Sequence, residues 1–317
     1  MRFLIVFTFL SLIACTHRPE KIGKTTKREK ETNAIPIRMD KNHLIASVLI
    51  NDTLEADFVL DTGSPTALLF DSAFVVRKGL LKMDTNLREN PARWMSYVQG
   101  KDQLENAPIR FKLGSISDTS NYSQIINLHR IIGSKAQGII GMEFIKKYIM
   151  EVDYEKHSMT FHKSLSSTKD IAFDTIKIYS RDKQEQSFWL KVTFDPGERL
   201  LPFTEECMLD LGTGSDFIYL PTRIVKKYNL LDMSGLIPIE PDDKIVTKET
   251  ISGFSTRISS LAWGHLSVDT PKVILYTSPK GITASYALIG NYIFKRYKRV
   301  YFDFKGWGIY IPKATIR

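Results

Sequence analysis

Short runs of apolar residues, separated by polar and turn-forming residues, recur along most of this chain. The runs are rich in β-branched and aromatic residues, and most are bounded by Gly, Pro, Asn or Asp. Such runs are typical of strands, because branched and aromatic side chains pack well on a pleated surface. The strands predicted most clearly cover residues 43 to 50, 56 to 60, 109 to 113, 188 to 194, 215 to 220 and 299 to 304.

Helices are predicted to be few and short. The candidates cover residues 70 to 81, 143 to 147, 222 to 230 and 292 to 296. A chain of 317 residues with 43% hydrophobic residues can bury a large core or two ordinary ones. The pattern therefore predicts an all-β fold with a few short helices.

The pattern occurs twice along the chain. An apolar run leads into Asp61-Thr62-Gly63-Ser64, and a second one leads into Asp210-Leu211-Gly212-Thr213, which begins 149 residues later. In each half a glycine follows two apolar residues 80 positions beyond the aspartate, at Gly141 and Gly290. A repeated scaffold alone would repeat apolar positions but would not repeat a carboxylate at the end of an apolar strand. The repeat therefore predicts two similar lobes and a functional pair of aspartates.

These residues resemble the motifs of the pepsin-like and retropepsin-like aspartic peptidases. Each lobe of those enzymes carries Asp-Thr/Ser-Gly after two hydrophobic residues and, further on, a glycine after two more. The resemblance covers roughly residues 44 to 312. It implies a two-lobed aspartic peptidase fold, with lobes at residues 35 to 165 and 166 to 317. It also implies that Asp61 and Asp210 face each other across a cleft, and that a single chain, as a monomer, carries both.

The resemblance implies an endopeptidase that hydrolyses peptide bonds of a polypeptide substrate with a water activated between the two aspartates. Two adjacent carboxyl groups share one proton, so one can act as a base and the other as an acid; this family is a standard example of the effect. The resemblance implies neither a metal nor an organic cofactor. No zinc-binding, serine-hydrolase or phosphate-loop motif competes with this interpretation.

The neighbours of the aspartates have implied roles as well. Gly63 and Gly212 let the backbone turn sharply and approach the opposite lobe. Similarity to the family suggests that the hydroxyls of Ser64 and Thr213 orient the outer carboxylate oxygens.

Leu211 departs from the family pattern, which has Thr or Ser at this position. The hydroxyl of that residue bonds to the backbone of the opposite lobe, and leucine cannot make the bond, so Thr62 would make it alone. An alternative is therefore a catalytically impaired, peptide-binding envelope lipoprotein of the same fold. A β-sandwich adhesion or glycan-binding protein is a further alternative, but it would leave the register of the two motifs unexplained.

We expect a hairpin over the substrate in each lobe. Residues 94 to 103 are the candidate in the first lobe, and residues 250 to 256, turning at Ser252-Gly253, are the candidate in the second. Ordinary surface hairpins would fit the same residues.

The first residues resemble a bacterial lipoprotein signal. A positive charge at Arg2 precedes an apolar run from 3 to 13, and Ala14 precedes Cys15. The run is too short for a membrane-spanning helix. Residues 1 to 15 are therefore predicted to be a signal ending at a lipidated Cys15, and residues 16 to 34, which are charged and poor in large apolar groups, a flexible tether. This predicts a lipid-anchored protein of the bacterial cell envelope, with the outer membrane favoured.

Charge and cysteine content add two expectations. Part of the net charge of +9 lies between Arg18 and Lys30, and the rest is scattered without an aromatic-interleaved basic block, so nucleic acid is not expected as a partner. With Cys15 acylated, Cys207 would be the one remaining cysteine, so no intrachain disulfide is expected. Cys207 lies in an apolar run and is predicted to be a buried small hydrophobe.

Overall fold

The computed structural model describes residues 33–79, 108–121, 123–132, 135–165, 171–197, 199–239, 252–277 and 286–313. Residues from Asn33 onward belong to one compact unit. The predicted signal with Cys15, most of the predicted tether and the hairpin candidate at 94 to 103 lie outside the described residues. In the described part of the chain, no helix is long and apolar enough to cross a membrane.

The fold is mostly β-sheet, which confirms the all-β prediction. The strands of the first half are β1 (Ile35–Pro36), β2 (Arg38–Asp40), β3 (His43–Ile50), β4 (Leu54–Leu60), β5 (Leu68–Asp71), β6 (Ile109–Leu113), β7 (Ile116–Ser120), β8 (Ser123–Ile126), β9 (Gly138–Ile140), β10 (Ile149–Asp153) and β11 (Ser158–His162). Those of the second half are β12 (Phe173–Lys177), β13 (Tyr179–Ser180), β14 (Phe188–Asp195), β15 (Phe203–Leu209), β16 (Ile218–Leu220), β17 (Ile237–Pro238), β18 (Gly253–Arg257), β19 (Ser260–Trp263), β20 (Leu266–Asp269), β21 (Lys272–Tyr276), β22 (Ala287–Ile289), β23 (Arg299–Asp303) and β24 (Gly308–Pro312).

The helices of the described residues are short, as predicted. They are α1 (Ser72–Arg77), α2 (Leu128–Ile132), α3 (Met142–Ile145), α4 (Thr222–Lys227) and α5 (Asn291–Phe294), with a 3-10 turn at Leu230–Asp232. Helix α1 begins later than predicted because residues 70 and 71 belong to β5. The carboxylate of Asp71 accepts the N–H of Phe74 at 3.0 Å and so caps the helix at that point.

Each half builds its own sheet, and the two sheets have the same strand order. The first runs β7-β6-β3-β4-β9-β5-β8, and the second runs β20-β19-β14-β15-β22-β16-β21 before continuing to β18 and β17. Strand β4 pairs in parallel with β9, and β15 pairs in parallel with β22. The pair Phe58 and Gly138 recurs as Cys207 and Ala287, each shifted by the 149 residues of the sequence repeat. The repeat in the sequence is therefore a repeat of topology.

A third sheet, in the order β1-β11-β10-β23-β24-β12, joins the two halves. At its centre β10 and β23 are antiparallel, and Glu151 pairs with Tyr301 while Val152 pairs with Val300. Val300 and Tyr301 are the residues that the 149-residue repeat makes equivalent to Glu151 and Val152, so the two pairs are copies of each other. The symmetry axis between the halves therefore passes through this ladder. The predicted boundary at residues 165 and 166 falls between β11 and β12, where the chain passes from one half to the other.

The main hydrophobic core is continuous through both halves. It includes Leu60 and Leu209, which precede the two aspartates, as well as Leu211. Cys207 is fully buried in the same core and forms no disulfide, and burial raises the pKa of its thiol. The prediction that Cys207 is a buried small hydrophobe is confirmed.

The predicted hairpin turn at Ser252-Gly253 is wrong. Gly253 is the first residue of β18, where it pairs with Tyr276 of β21. A Cβ atom at Gly253 would lie 2.4 Å from the carbonyl oxygen of Leu275, so a close approach of two strands, and not a turn, requires this glycine. Strand β18 also pairs with β17, where Pro238 lies opposite Phe254.

Candidate active site

Asp61 and Asp210 follow directly after β4 and β15, the equivalent strands of the two sheets. The N–H of Asp61 donates to the carbonyl of Ile140 at 3.0 Å, and the N–H of Asp210 donates to that of Ile289 at 2.9 Å. In both cases the acceptor is the last residue of the parallel neighbour, β9 or β22. Both aspartates are thus held at the carboxyl ends of parallel strands, in the same backbone environment.

The structure brings the two carboxyl groups into a hydrogen bond with each other. Both residues keep some solvent exposure, although protein atoms surround their carboxyl groups closely. A Cβ atom at Gly63 would lie 2.9 Å from Cγ of Asp210, and one at Gly212 would lie 2.2 Å from Cγ of Asp61. Each glycine therefore faces the carboxyl of the opposite half, and a larger residue would separate the pair.

The electrostatic environment of the two carboxyls is unequal. Burial raises the pKa of both, and the charge of Asp61 raises the pKa of Asp210 further. The hydrogen bond between them, together with backbone N–H groups of Gly63 and Ser64, acts to lower the pKa of Asp61, whereas Asp210 accepts one backbone N–H, from Gly212 at 2.9 Å. The pair therefore retains a proton above the pH range in which a carboxyl usually ionises, and the additional backbone N–H favours the negative charge on Asp61.

Thr62 links the two halves beneath the aspartates. Its buried hydroxyl donates to the carbonyl of Leu209 at 3.0 Å and accepts the N–H of Leu211 at 2.9 Å. The side chain of Leu211 is fully buried in the apolar core and has no hydroxyl to return the bond. The hydrogen bond predicted from the Thr62 hydroxyl to the opposite half is present. The equivalent bond from residue 211 is missing because leucine has no hydroxyl.

Gly141 and Gly290 support the two aspartate loops from below. A Cβ atom at Gly141 would lie 2.2 Å from the carbonyl oxygen of Thr66, and one at Gly290 would lie 2.2 Å from Oγ1 of Thr213. Neither position has room for a side chain, which explains a glycine at the same place in each half.

The predicted role of the Thr213 hydroxyl is wrong. This oxygen is buried without a hydrogen-bond partner among the described residues, because it lies in the space that the missing Cβ of Gly290 leaves open. The equivalent Oγ of Ser64 lies 3.4 Å from Oγ1 of Thr66. Ser64 acts on Asp61 through its backbone N–H instead.

Two residues of the site were missed in the sequence. Tyr286 lies near Asp210: burial raises the pKa of its phenol, and the negative charge of Asp210 raises it further. The ring of Tyr286 packs edge-on against Trp189, with centroids 5.3 Å apart. His43 begins β3, is 2% exposed, and interacts electrostatically with Asp61. In the sequence, the signal for His43 was a histidine at the start of an apolar strand. Only the pairing of β3 with β4 brings that histidine next to Asp61.

A scan against models of known protein families found no match to this sequence, and no curated protein is significantly similar to it. The argument for a function therefore depends on the geometry of the site.

Proposed function

We propose that this protein is an aspartic endopeptidase with a two-lobed aspartic peptidase fold, in which Asp61 and Asp210 form the catalytic dyad. The observation that carries the proposal is the hydrogen bond between two carboxyl groups presented by equivalent strands of a topology that occurs twice. Two such carboxyls cannot both ionise, so the pair holds one proton over a broad pH range.

The reaction is hydrolysis of a peptide bond. A water molecule between the carboxyls gives a proton to the ionised partner, for which Asp61 is better suited, and its oxygen attacks the carbonyl carbon. The protonated partner donates a hydrogen bond to the carbonyl oxygen and stabilises the tetrahedral intermediate. The carbon–nitrogen bond then breaks as the departing nitrogen receives a proton from the dyad. The two carboxyls titrate as a pair, so their roles belong to the dyad as a unit.

Aspartate-to-asparagine variants test this directly. The purified full-length protein is incubated with a diverse peptide library, and products are identified by mass spectrometry over a range of pH. We expect the wild type to cleave, and we expect Asp61→Asn and Asp210→Asn to lower kcat by about a thousandfold or more. Asp232→Asn, at an exposed position, is the matched control and should retain full activity. Undiminished cleavage by Asp61→Asn would refute the assignment.

A second candidate function is peptide binding without hydrolysis. Leu211 favours it, because the missing hydroxyl leaves the dyad held by one cross-link from Thr62. In that case the wild type would bind members of the library, measured by pull-down and mass spectrometry, and would leave them intact at every pH tested.

We also propose that the protein is a monomer anchored to the bacterial cell envelope, in the outer membrane, by a lipid on Cys15. The support is the Arg2, apolar run and Ala14-Cys15 pattern of the sequence. The test is fractionation of expressing cells: the wild type should partition with membranes, and Cys15→Ala should lose acylation and the membrane fraction. Membrane association that is unchanged in Cys15→Ala would contradict the anchor.

A further inference from the structure

His43 stands opposite Asp61 across the ladder of β3 and β4. Ile45 pairs with Val59 in this ladder. Two residues further along each strand, the same register places His43 against Asp61, one position beyond the end of β4. Residues directly opposite in an antiparallel pair point to the same face, with Cβ atoms about 5 Å apart. The imidazole and the carboxylate are therefore neighbours on one face of the sheet.

The imidazole is enclosed by protein. It is 2% exposed and packs against Gly214, in the loop that follows Asp210; a Cβ atom at Gly214 would lie 2.1 Å from Nε2 of His43. The backbone of Ile132, at the end of α2, lies near the ring and acts to raise the pKa of the imidazole. Nδ1 is buried and has no hydrogen-bond partner among the described residues. The ring therefore lies against the loop that follows Asp210 and opposite Asp61 in the ladder.

The second half has no group that becomes charged in acid at the equivalent position of its ladder. In its ladder Trp189 pairs with Met208, so Ser187 takes the position opposite Asp210. The hydroxyl of Ser187 donates to Oδ2 of Asp182 at 2.7 Å. Ser187 carries no charge at any ordinary pH, which makes the neighbourhood of Asp61 different from that of Asp210. A titratable group on one side can bias the shared proton between the two carboxyls.

The charges around His43 act in both directions. Burial lowers its pKa below the ordinary 6.5, while the Ile132 carbonyl and the charges of Asp61 and Asp40 act to raise it, and the charge of Lys41 acts to lower it. The effect on the carboxyl is reciprocal, since a positive His43 lowers the pKa of Asp61. The imidazole is therefore neutral near neutral pH and becomes charged in acid.

We propose that His43 is a positioning residue that acts through Asp61: in acid, its imidazolium keeps Asp61 ionised and extends the singly protonated state of the dyad to lower pH. The consequence for catalysis rests on the proposed peptidase function. The coupling between the two residues is a property of the structure and can be measured without a substrate.

The catalytic test uses His43→Gln in the full-length protein. Glutamine keeps a polar side chain of similar size at this position, but that side chain cannot become charged. We expect the acidic limb of the kcat/KM profile to move to higher pH by about one unit, as removal of a neighbouring charge in a low-dielectric site should do. His157→Gln removes an exposed histidine and is the matched control, with no expected shift. A uniform loss of kcat/KM at every pH, with the limb unmoved, would indicate a purely structural role and overturn the proposal.

The second test is an NMR titration of the His43 imidazole in the wild type and in Asp61→Asn. Loss of the neighbouring carboxylate should lower the pKa of His43, whereas the exposed control Asp232→Asn should leave it unchanged. An identical titration of His43 in wild type and Asp61→Asn would refute the coupling even if peptides are cleaved. Coupling observed in a protein that cleaves no peptide would instead support the inference about His43 and count against the peptidase proposal.

Discussion

The hydroxyl of Thr62 is the group whose loss should be most informative about the interface between the two halves. It donates to the carbonyl of Leu209 and accepts the N–H of Leu211, at 3.0 and 2.9 Å. The partners lie 147 and 149 residues away in the sequence. Replacing Thr62 by valine keeps the volume and the branched shape of the side chain and removes both bonds at once.

The expected cost follows from burial. The Leu211 N–H would be left in the apolar core without a partner, which costs about 1 to 3 kcal/mol, and the Leu209 carbonyl would lose a bond worth about 0.5 to 1.5 kcal/mol. Valine leaves no cavity, so no packing cost is added. We therefore expect Thr62→Val to lower the free energy of unfolding by about 2 to 4 kcal/mol.

Equilibrium unfolding in urea, followed by tryptophan fluorescence and circular dichroism, measures this change. Thr204→Val is the matched control, because the Thr204 hydroxyl bonds to Thr193 at 2.9 Å at an exposed position and should contribute about 0.5 kcal/mol or less. If Thr62→Val costs less than about 1 kcal/mol, or no more than the control, the cross-link does not stabilise the contact between the halves and the reasoning is wrong.

Three further predictions concern the same region. Asp210→Asn should raise the free energy of unfolding at pH 7 by about 1 to 2 kcal/mol. A carboxyl whose pKa is raised on folding destabilises the native state at any pH above its unfolded pKa. Urea titrations should show this gain in stability disappearing below about pH 4, and equal stabilities of variant and wild type at pH 7 would contradict the prediction. Leu211→Thr supplies the missing hydroxyl and should preserve or increase peptide cleavage, so complete loss of cleavage would mean that the second motif is misplaced. Asp153→Asn should lower the free energy of unfolding at pH 7 by about 1 to 2 kcal/mol. Burial acts to raise the pKa of Asp153, but hydrogen bonds from the backbone and from Arg299 outweigh it and hold that pKa low. The loss of stability should vanish as pH falls through the lowered pKa, which thermal unfolding across pH measures.

Local patterns were enough to predict several of the strands and helices, and the repeat. Strands β3 and β6 have the predicted bounds, and the two glycines at equal spacing from the aspartates lie at equivalent places in the two sheets. Errors arose where a tertiary contact overrides local preference. Gly253 looks like a turn residue in the sequence, but it is a strand residue where β18 approaches β21 too closely for a side chain.

The sequence by itself determined the two carboxylates at the ends of apolar strands and their common register, because strand propensity and motif spacing are properties of neighbouring residues. The tertiary structure decided which residues lie next to each carboxylate. Asp61 contacts Asp210 because both halves share a central sheet, and His43 stands opposite Asp61 because of the pairing of β3 with β4. The Thr213 hydroxyl turns toward Gly290 for the same kind of reason. Such contacts join residues far apart in the chain, so only the paired strands bring them together.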